Sequence, residues 1–448
     1  MQFDEALRYL LSLGAETLAI KLGLRNTELL LAALGNPQKS YPSVQIAGTN
    51  GKGSTAVILD SICRIAGIKT GLYTSPHLVS ITERIRVSGR EIATNDFARH
   101  ATSVRCASLE LLNRSELEAP PTFFEQVTAI TLGAFKEANV DLAILETGLG
   151  GRLDATTVAK AELVAITPVS LDHEEYLGTT LESIAAEKAA IIRPGVTAII
   201  APQPAEVLGV ILRQCENCDV QPSIDECSAK VEDVTQDGHL RVTFKTAHDL
   251  YSNVMPGLRG RHQITNVALS IRLAESLRAQ GFAISRSAVV EGIEQARHPG
   301  RLELWQGSPT VAPVLFDGAH NPAGTLALRK YLDEFISVPV TLVFGAMRDK
   351  NLEEMAANLF PVASRLVLTQ PESPRAASLE VLQHLGSSLV DDERISAVRS
   401  VRSAILKARE VTPANGLICC SGSLYLVGEA QAVMKEMTGA EVSSARVS

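Results

Sequence analysis

Apolar residues fall in two rhythms along this chain. Short apolar runs at 44–47 (VQIA), 70–73 (TGLY), 141–146 (DLAILE), 163–170 (LVAITPVS) and 197–202 (TAIIAP) read as buried strands. Between them lie stretches with helical spacing: residues 56–67, with apolar side chains at 57, 58, 62 and 65, a segment from Asn95 to Glu118, residues 122–140, and residues 183–192. Two more helical stretches, 3–13 and 27–35, come first. Residues 80–92 (SITERIRVSGREI) read as an extended hairpin turning at Ser88-Gly89. Strands that alternate with helices predict a mostly parallel sheet, with ligands beyond the carboxyl ends of the strands.

The rhythm lapses over 203–256, where short runs such as LRVTFKT predict a small β insertion. Helices are expected at 262–279 and on to about Gln295. His298-Pro299-Gly300-Arg301 reads as a linker, and from Leu302 a second alternating series begins: APVLFDGAH, VPVTLVFGAM, RLVLTQ and GLICCSGSLYLVGEA, each with a helix after it. The expected organisation is α/β throughout: a first domain over 1–297 containing the 203–256 insertion, and a second over 298–448. No internal repeat or low-complexity stretch is visible, and the final VSSARVS reads as a frayed tail.

At 448 residues the chain exceeds one ordinary core, in keeping with two or three domains. A formal net charge of -8 argues against broad nucleic-acid binding, and aromatics at 4% argue against a base-stacking platform. Acids near the N-terminus without a basic flank do not form a signal peptide, and no uncharged run reaches membrane length. Seven scattered cysteines suit a reducing cytoplasm.

Polar clusters sit at the ends of the predicted strands. Gly48-Thr49-Asn50-Gly51-Lys52-Gly53 follows the first strand, and Ser54-Thr55 open a helix. Glycines that turn N–H groups outward, a helix N-terminus and a lysine make a phosphate-binding loop. Its spacing departs from the generic pattern, because Gly53 separates Lys52 from the first hydroxyl. A bound nucleotide requires Mg²⁺ with oxygen ligands, and the candidates are Ser54, Ser75 and Glu146. The bland reading of Glu146 is an ion pair with Arg152. His173 follows Asp172 at the next strand end, while Lys188 reads from the residues alone as a solvated helix lysine. Cys215 and Cys218 form a CxxC near Cys227; with no evident fourth ligand they read as free thiols. In the second series, Asp317-Gly318-Ala319-His320-Asn321-Pro322 ends a strand, with Asn321 a helix cap, and Arg301 and Arg348-Asp349-Lys350 add charge to that face.

These pieces together resemble the folylpolyglutamate synthase and dihydrofolate synthase family of the Mur ligase superfamily. The likeness runs from LGL near residue 22 to GSLYL at 422–426. It is carried by AGTNGKGST (47–55), YTSPHL (73–78), ERIRVSG (83–89), FFEQVT (123–128), ETGLGGRLDAT (146–156), LDHEEYLGTTLESIAAEKAAI (171–191), PGRLE (299–303), FDGAHNP (316–322) and Asp349-Lys350. The unusual loop spacing is the superfamily's own form.

The resemblance implies a P-loop ATPase domain with a mostly parallel sheet, a C-terminal Rossmann-like α/β domain, and an active site between them. It implies ATP-driven formation of an acyl phosphate on a folate-type carboxylate, followed by attack of the L-glutamate amine. By similarity, Asn50, Gly51, Lys52, Gly53 and Ser54 cradle the ATP phosphates, and Asn266, Arg301 and Asp317 hold ATP from the joint and second domain. Ser75 and Glu146 are similar to ligands of one Mg²⁺ and His173 to a ligand of a second, with K⁺ as a further candidate ion. Lys188 matches a lysine carbamylated in relatives. Lys52, Lys188 and His320 are the expected catalytic residues; His320 and Ser421 fall on the glutamate side; Thr122, Phe123, Phe124, Glu125, Leu153, Asp154 and Ala155 fall on the folate side. Small-molecule substrates, a monomer, and no nucleic-acid or membrane partner are implied. Thr157 replaces the family's Asn after LDAT, Ala190 replaces a Gly, and residues 203–256 match poorly. A Mur-type peptidoglycan ligase is disfavoured because short helices directly precede the loop, leaving no room for a UDP-binding domain. A non-catalytic ATP switch is disfavoured by Glu146, His173 and Lys188 around the loop.

Overall fold

The structure, a computed structural model, describes residues 1–14, 23–224, 226–235, 238–307 and 312–445. The start of the LGL stretch, Leu22, and the last three residues lie outside them.

The first domain begins with helices α1 (Phe3–Ser12) and α2 (Arg25–Ala33), then β1 (Ser43–Ala47), α3 (Lys52–Ile65), β2 (Thr70–Tyr73), β3 (Ile85–Val87) and β4 (Arg90–Glu91). It continues with α4 (Thr94–Asn113), α5 (Phe123–Ala138), β5 (Leu142–Glu146), β6 (Leu163–Ile166), α6 (Glu174–Leu177), α7 (Leu181–Ala189), β7 (Thr197–Ile200), α8 (Ala205–Asn217) and β8 (Ser223–Ile224). The eight strands form one sheet in the order β4-β3-β2-β5-β1-β6-β7-β8. Every pair from β2 to β8 is parallel, and only the β2-β3-β4 edge is antiparallel. The central strands β1, β5 and β6 are buried on both faces, which explains their continuous apolar runs. Parallel register places Ile46 beside Glu146 and Ala47 beside Ile166, so the loops after these three strands emerge together.

The lapse in rhythm after residue 203 is shorter than the sequence suggests. Helix α8 buries Val207, Val210, Ile211 and Cys215 against the sheet, and β8 extends the sheet by one parallel strand. A two-residue strand leaves too short an apolar signal to read. The separate β element is β9 (Ser228–Val234), β10 (Leu240–Lys245) and β11 (Leu250–Val254), a three-stranded antiparallel sheet. Of the CxxC, Cys215 faces the core and Cys218 ends α8, its thiol 3.3 Å from the Ile192 carbonyl. Helices α9 (Gln263–Ala279) and α10 (Arg286–Gln295) return to the main sheet and pack on α3.

The second domain holds β12 (Glu303–Trp305), β13 (Val314–Phe316), α11 (Pro322–Phe335), β14 (Val340–Phe344), α12 (Leu352–Leu359), β15 (Arg365–Leu368), α13 (Leu379–Leu389), β16 (Ile395–Ala397), α14 (Val401–Val411), β17 (Leu417–Ser421) and α15 (Leu424–Ala445). Its sheet order is β12-β13-β17-β14-β15-β16, parallel except at β12. The edge strands β12 and β16 are absent from the sequence reading, because three half-buried residues carry little pattern.

The domains meet at several points. The loop after β2 is stiffened by the Glu83 carboxylate, which accepts from the N–H groups of Leu78, Val79 and Ser80 at 2.7–2.9 Å. Its Leu78 carbonyl comes so close to Gly428 on α15 that no side chain fits there. Arg261 pairs with Glu334 of α11 at 2.7 Å. No helix among the described residues is long and apolar enough to cross a membrane.

Candidate active site

The strand ends of both sheets open into one cleft of about 610 Å³ between the domains. Its floor is the phosphate loop. Lys52 folds back, its Nζ donating to the carbonyls of Gly48 and Thr49, each at 3.1 Å. Lys188 of α7 reaches the same Gly48 carbonyl at 2.8 Å and is buried. Burial, reinforced by the charge on Lys52, pulls the Lys188 ammonium down to about 7. The expectation of a solvated lysine from the residues alone is therefore overturned: α7 turns this position inward.

Glu146 ends β5 in full burial, with Oε2 accepting from the Ser75 N–H at 3.1 Å. Burial pushes its carboxyl up, against the opposing charges of Lys52, Arg301 and Arg84. Arg152 pairs instead with Glu187 at 2.6 Å, so the bland reading of a Glu146–Arg152 pair fails. Glu146 makes no ion pair among the described residues, which leaves a buried carboxylate in want of a cation. Among those residues no group of three or more His, Cys, Asp or Glu side chains could enclose a metal. The donor set of Glu146, Ser75 and Ser54 fits Mg²⁺, which takes few protein oxygens and completes its shell with phosphate and water.

Behind the loop, α9 presents Gln263 and Asn266. Asn266 Nδ2 donates to Gln263 Oε1 at 2.7 Å, and Gln263 Nε2 lies 3.4 Å from Ser54 Oγ. His298 Nδ1 lies 3.2 Å from the same hydroxyl. A Cβ on Gly53 would meet His298 Cε1 at 2.9 Å and Glu146 Oε2 at 3.2 Å, which accounts for the glycine between lysine and serine. Sequence reasoning missed His298 and Gln263; only their spatial approach to Ser54 identifies them.

On one side of the cleft, Thr122 and Glu125 form a reciprocal capping box at the start of α5 (2.7 and 3.3 Å), and Glu125 also accepts from Thr27 at 3.0 Å. Phe124 faces the cleft and packs on Gly148. Phe123 does not: helical geometry turns it into the core, under the Arg84 guanidinium at 5.4 Å. Leu153, Asp154 and Ala155 line the cleft, but the Asp154 carboxylate is committed to the N–H groups of Gly148, Leu149 and Thr156 and to the Thr156 hydroxyl. Thr157 is buried against Gln45 (2.7 Å) and the Gly151 carbonyl (2.7 Å), outside the cleft lining, so its departure from the family pattern falls on loop structure.

On the other side a polar cluster joins the domains. Asp172 accepts from Lys350 at 2.5 Å and from Asn321 at 3.0 Å, and Asn321 also donates to Asn50 at 3.1 Å. His173 and His320 stand 4.0 and 3.7 Å from the Asp172 carboxylate. Burial would push Asp172 up, but the Lys350 ammonium and its hydrogen bond, with the two imidazoles beside it, outweigh burial and hold the carboxyl well below the usual carboxylate range. Burial pulls His173 down to about 3 and His320 to about 4, leaving both rings neutral near pH 7. Asp317 accepts from the N–H groups of Leu302 (2.9 Å) and Ala319 (3.0 Å), and burial pushes it up despite Arg301. Ser421 is the exception. It closes β17 inside the sheet, fully buried, and the chain reaches the cleft only after Gly422, with Ser423, Leu424 and Tyr425. Arg375, unforeseen from sequence, also lines this side, paired to Asp349 at 2.7 Å.

A phosphate loop facing a second α/β domain across a shared cleft is the arrangement of the Mur ligases, and both halves match that class. Residues 46–274 match the Mur ligase middle domain and residues 300–424 the Mur ligase glutamate ligase domain. Within this class, the chain belongs to the dihydrofolate synthase/folylpolyglutamate synthase family. It is 34% identical to the dihydrofolate synthase/folylpolyglutamate synthase of Bacillus subtilis, over 94% of this chain and 97% of the relative. The Mycobacterium tuberculosis folylpolyglutamate synthase complexed with ADP superposes with a TM-score of 0.89 at 30% identity, covering 96% of this chain and 98% of that one. The E. coli FolC structure in complex with DHPP and ADP gives 0.85 at 31% identity, over 98% and 99%. The chain spans about half the length of other curated relatives, among them a probable bifunctional folylpolyglutamate synthase/dihydropteroate synthase of Halobacterium salinarum, 35% identical, of which it covers 51%.

Proposed function

We propose that this protein joins L-glutamate to a folate-type carboxylate at the expense of ATP. The acceptor is dihydropteroate, a tetrahydrofolate polyglutamate, or both. The γ-phosphoryl group passes to the carboxylate; the glutamate amine then attacks the acyl carbon, expels phosphate and loses a proton, giving an amide. ADP and phosphate are released.

One observation carries the reading: a single cleft joins a phosphate loop, an aromatic wall at Phe124 and a polar end at Asp172, His320 and Lys350. Three substrates of different chemistry need three such ends. Lys52 and the N–H groups of Asn50, Gly51, Gly53 and Ser54 hold phosphate, and Asn266, Arg301 and Asp317 hold the remainder of the nucleotide. Phe124, with Leu153 and Ala155 beside it, offers the apolar surface for a pterin. The two walls exclude water from the mixed anhydride. Ser75 and Glu146 would hold Mg²⁺ and His173 a second ion, and that charge would offset the charge of the phosphates. K⁺ is a further candidate ion. Lys188 supports carbamylation, because a buried amine that is about half uncharged near neutral pH attacks CO₂, forms a nitrogen–carbon bond and releases a proton. We also place the protein in the cytoplasm as a monomer, which rests on the family resemblance and its scattered thiols.

The test is purified protein with ATP, Mg²⁺ and L-glutamate, offered dihydropteroate or tetrahydrofolate in separate reactions. ADP release that needs both glutamate and a folate-type acceptor is expected. ADP release with UDP-linked muramyl peptides, and none with either pterin, would overturn the proposal.

A further inference from the structure

Ser54 opens the first turn of α3, and its hydroxyl has two polar neighbours. Gln263 Nε2 stands at 3.4 Å and His298 Nδ1 at 3.2 Å. The Gln263 amide has a fixed sense: its Oε1 accepts from Asn266 Nδ2, so its nitrogen faces Ser54. Its other N–H points to His262 Nε2 at 3.2 Å. Ser54 Oγ therefore accepts from Gln263. A hydroxyl has one proton and two lone pairs. With one lone pair used by Gln263 and the proton given to a ring nitrogen, the second lone pair is left for the cleft, which Ser54 lines.

His298 does not itself line the cleft. Its ring lies against the face of Gly53, in a space that any side chain there would fill. It is also the residue before Pro299-Gly300-Arg301, where the chain passes between domains. That segment is tied to the second domain by Gly318 N–H donating to the Gly300 carbonyl at 2.8 Å and Gly300 N–H donating to Glu303 at 2.7 Å.

We propose that His298 is a positioning residue: it accepts the Ser54 hydroxyl proton and so aims an oxygen lone pair at the Mg²⁺-nucleotide end of the cleft. Because its backbone belongs to the joint, the orientation of Ser54 is set by how the domains sit. This inference rests on the cleft being the nucleotide site.

The test compares H298L, which keeps side-chain bulk but has no acceptor, with H298N, whose Oδ1 can replace Nδ1. ADP binding is followed by calorimetry with and without Mg²⁺, and KM for ATP is measured beside KM for glutamate. H298L is expected to weaken ADP binding in Mg²⁺ about tenfold and to raise KM for ATP by a similar factor, the effect of one lost hydrogen bond. ADP binding without Mg²⁺ and KM for glutamate should stay within about twofold, and H298N should recover most of the loss. In an S54A background, H298L should add nothing. H298L with wild-type affinity in Mg²⁺, or H298N as weak as H298L, would overturn the inference. Wild-type protein that fails to bind ADP would remove the nucleotide reading itself, a result distinct from either.

Discussion

Asp172 of the first domain and Lys350 of the second form a 2.5 Å ion pair, each side chain only 7% exposed. Asp172 also takes the Asn321 amide, so one carboxylate holds two groups from across the cleft. Removing Lys350 leaves a buried charge with only neutral partners. K350M should cost about 3 kcal/mol of stability by chemical denaturation, the scale for breaking a buried pair. D172N/K350M should cost less than K350M alone, because the neutral amide needs no counter-charge. Equal losses would show that the pair is uncoupled.

Lys188 separates stability from activity. Its amine is buried at a desolvation cost, and the Gly48 carbonyl keeps Lys52 when Lys188 is removed. K188M is expected to leave the melting temperature unchanged or raise it, yet to lower kcat at least a hundredfold. Intact-protein mass spectrometry in bicarbonate should show one added CO₂ on the wild type and none on K188M.

Gly53 is held between two functional side chains. G53A brings a methyl group to within 2.9 Å of His298 and 3.2 Å of Glu146, and both must move. Overpacking of this kind costs about 1–3 kcal/mol. The loss should appear as weaker nucleotide binding, at least tenfold in KM for ATP, with KM for the folate acceptor little changed.

Phe124 tests the opposite wall. F124A removes the ring that covers Gly148 and faces Tyr73 at 6.0 Å between centroids. KM for the pterin substrate should rise at least tenfold while ADP affinity holds. Equal loss of both would place the ring in the scaffold.

Acid should destabilise the protein earlier than its carboxylates require. His173 and His320 are pulled by burial to about 3 and about 4, from an unfolded value near 6.5. Between these values the unfolded chain binds protons that the folded one does not, so stability rises with pH across that window and is lost as pH falls. Each ring contributes a slope of about 1.4 kcal/mol per pH unit there. Denaturant midpoints from pH 7 to pH 4 would measure it; a flat profile would mean that the rings titrate normally.

How much of this was legible depended on how strong a local pattern each feature leaves. Fully buried parallel strands announce themselves as apolar runs, so Glu146 and Asp317 could be placed at strand ends from the sequence; His173 instead caps α6, because β6 stops at Ile166 and the apolar run beyond it is loop. Strands β8, β12 and β16 are too short to carry a period. Lys188 was opaque because a lysine near the end of a helix looks the same whether it faces water or a carbonyl. Phe123 and Ser421 illustrate the converse: a motif marks a neighbourhood, but helix phase and the end of β17 decide which member faces the cleft. His298 is separated from Ser54 by 244 positions, and no local rule links them.

The contact between the Leu78 carbonyl and Gly428 bears on modularity. Two domains that each resemble a common fold invite exchange with counterparts from other ligases. Here the loop after β2 leaves room for nothing but a bare α-carbon on its partner helix. A transplanted C-terminal half with any larger residue at that point would hold the halves apart, however well each folds. Compatibility in such chimaeras is thus decided partly by bare backbone, three residues along the loop from Ser75 of the cleft.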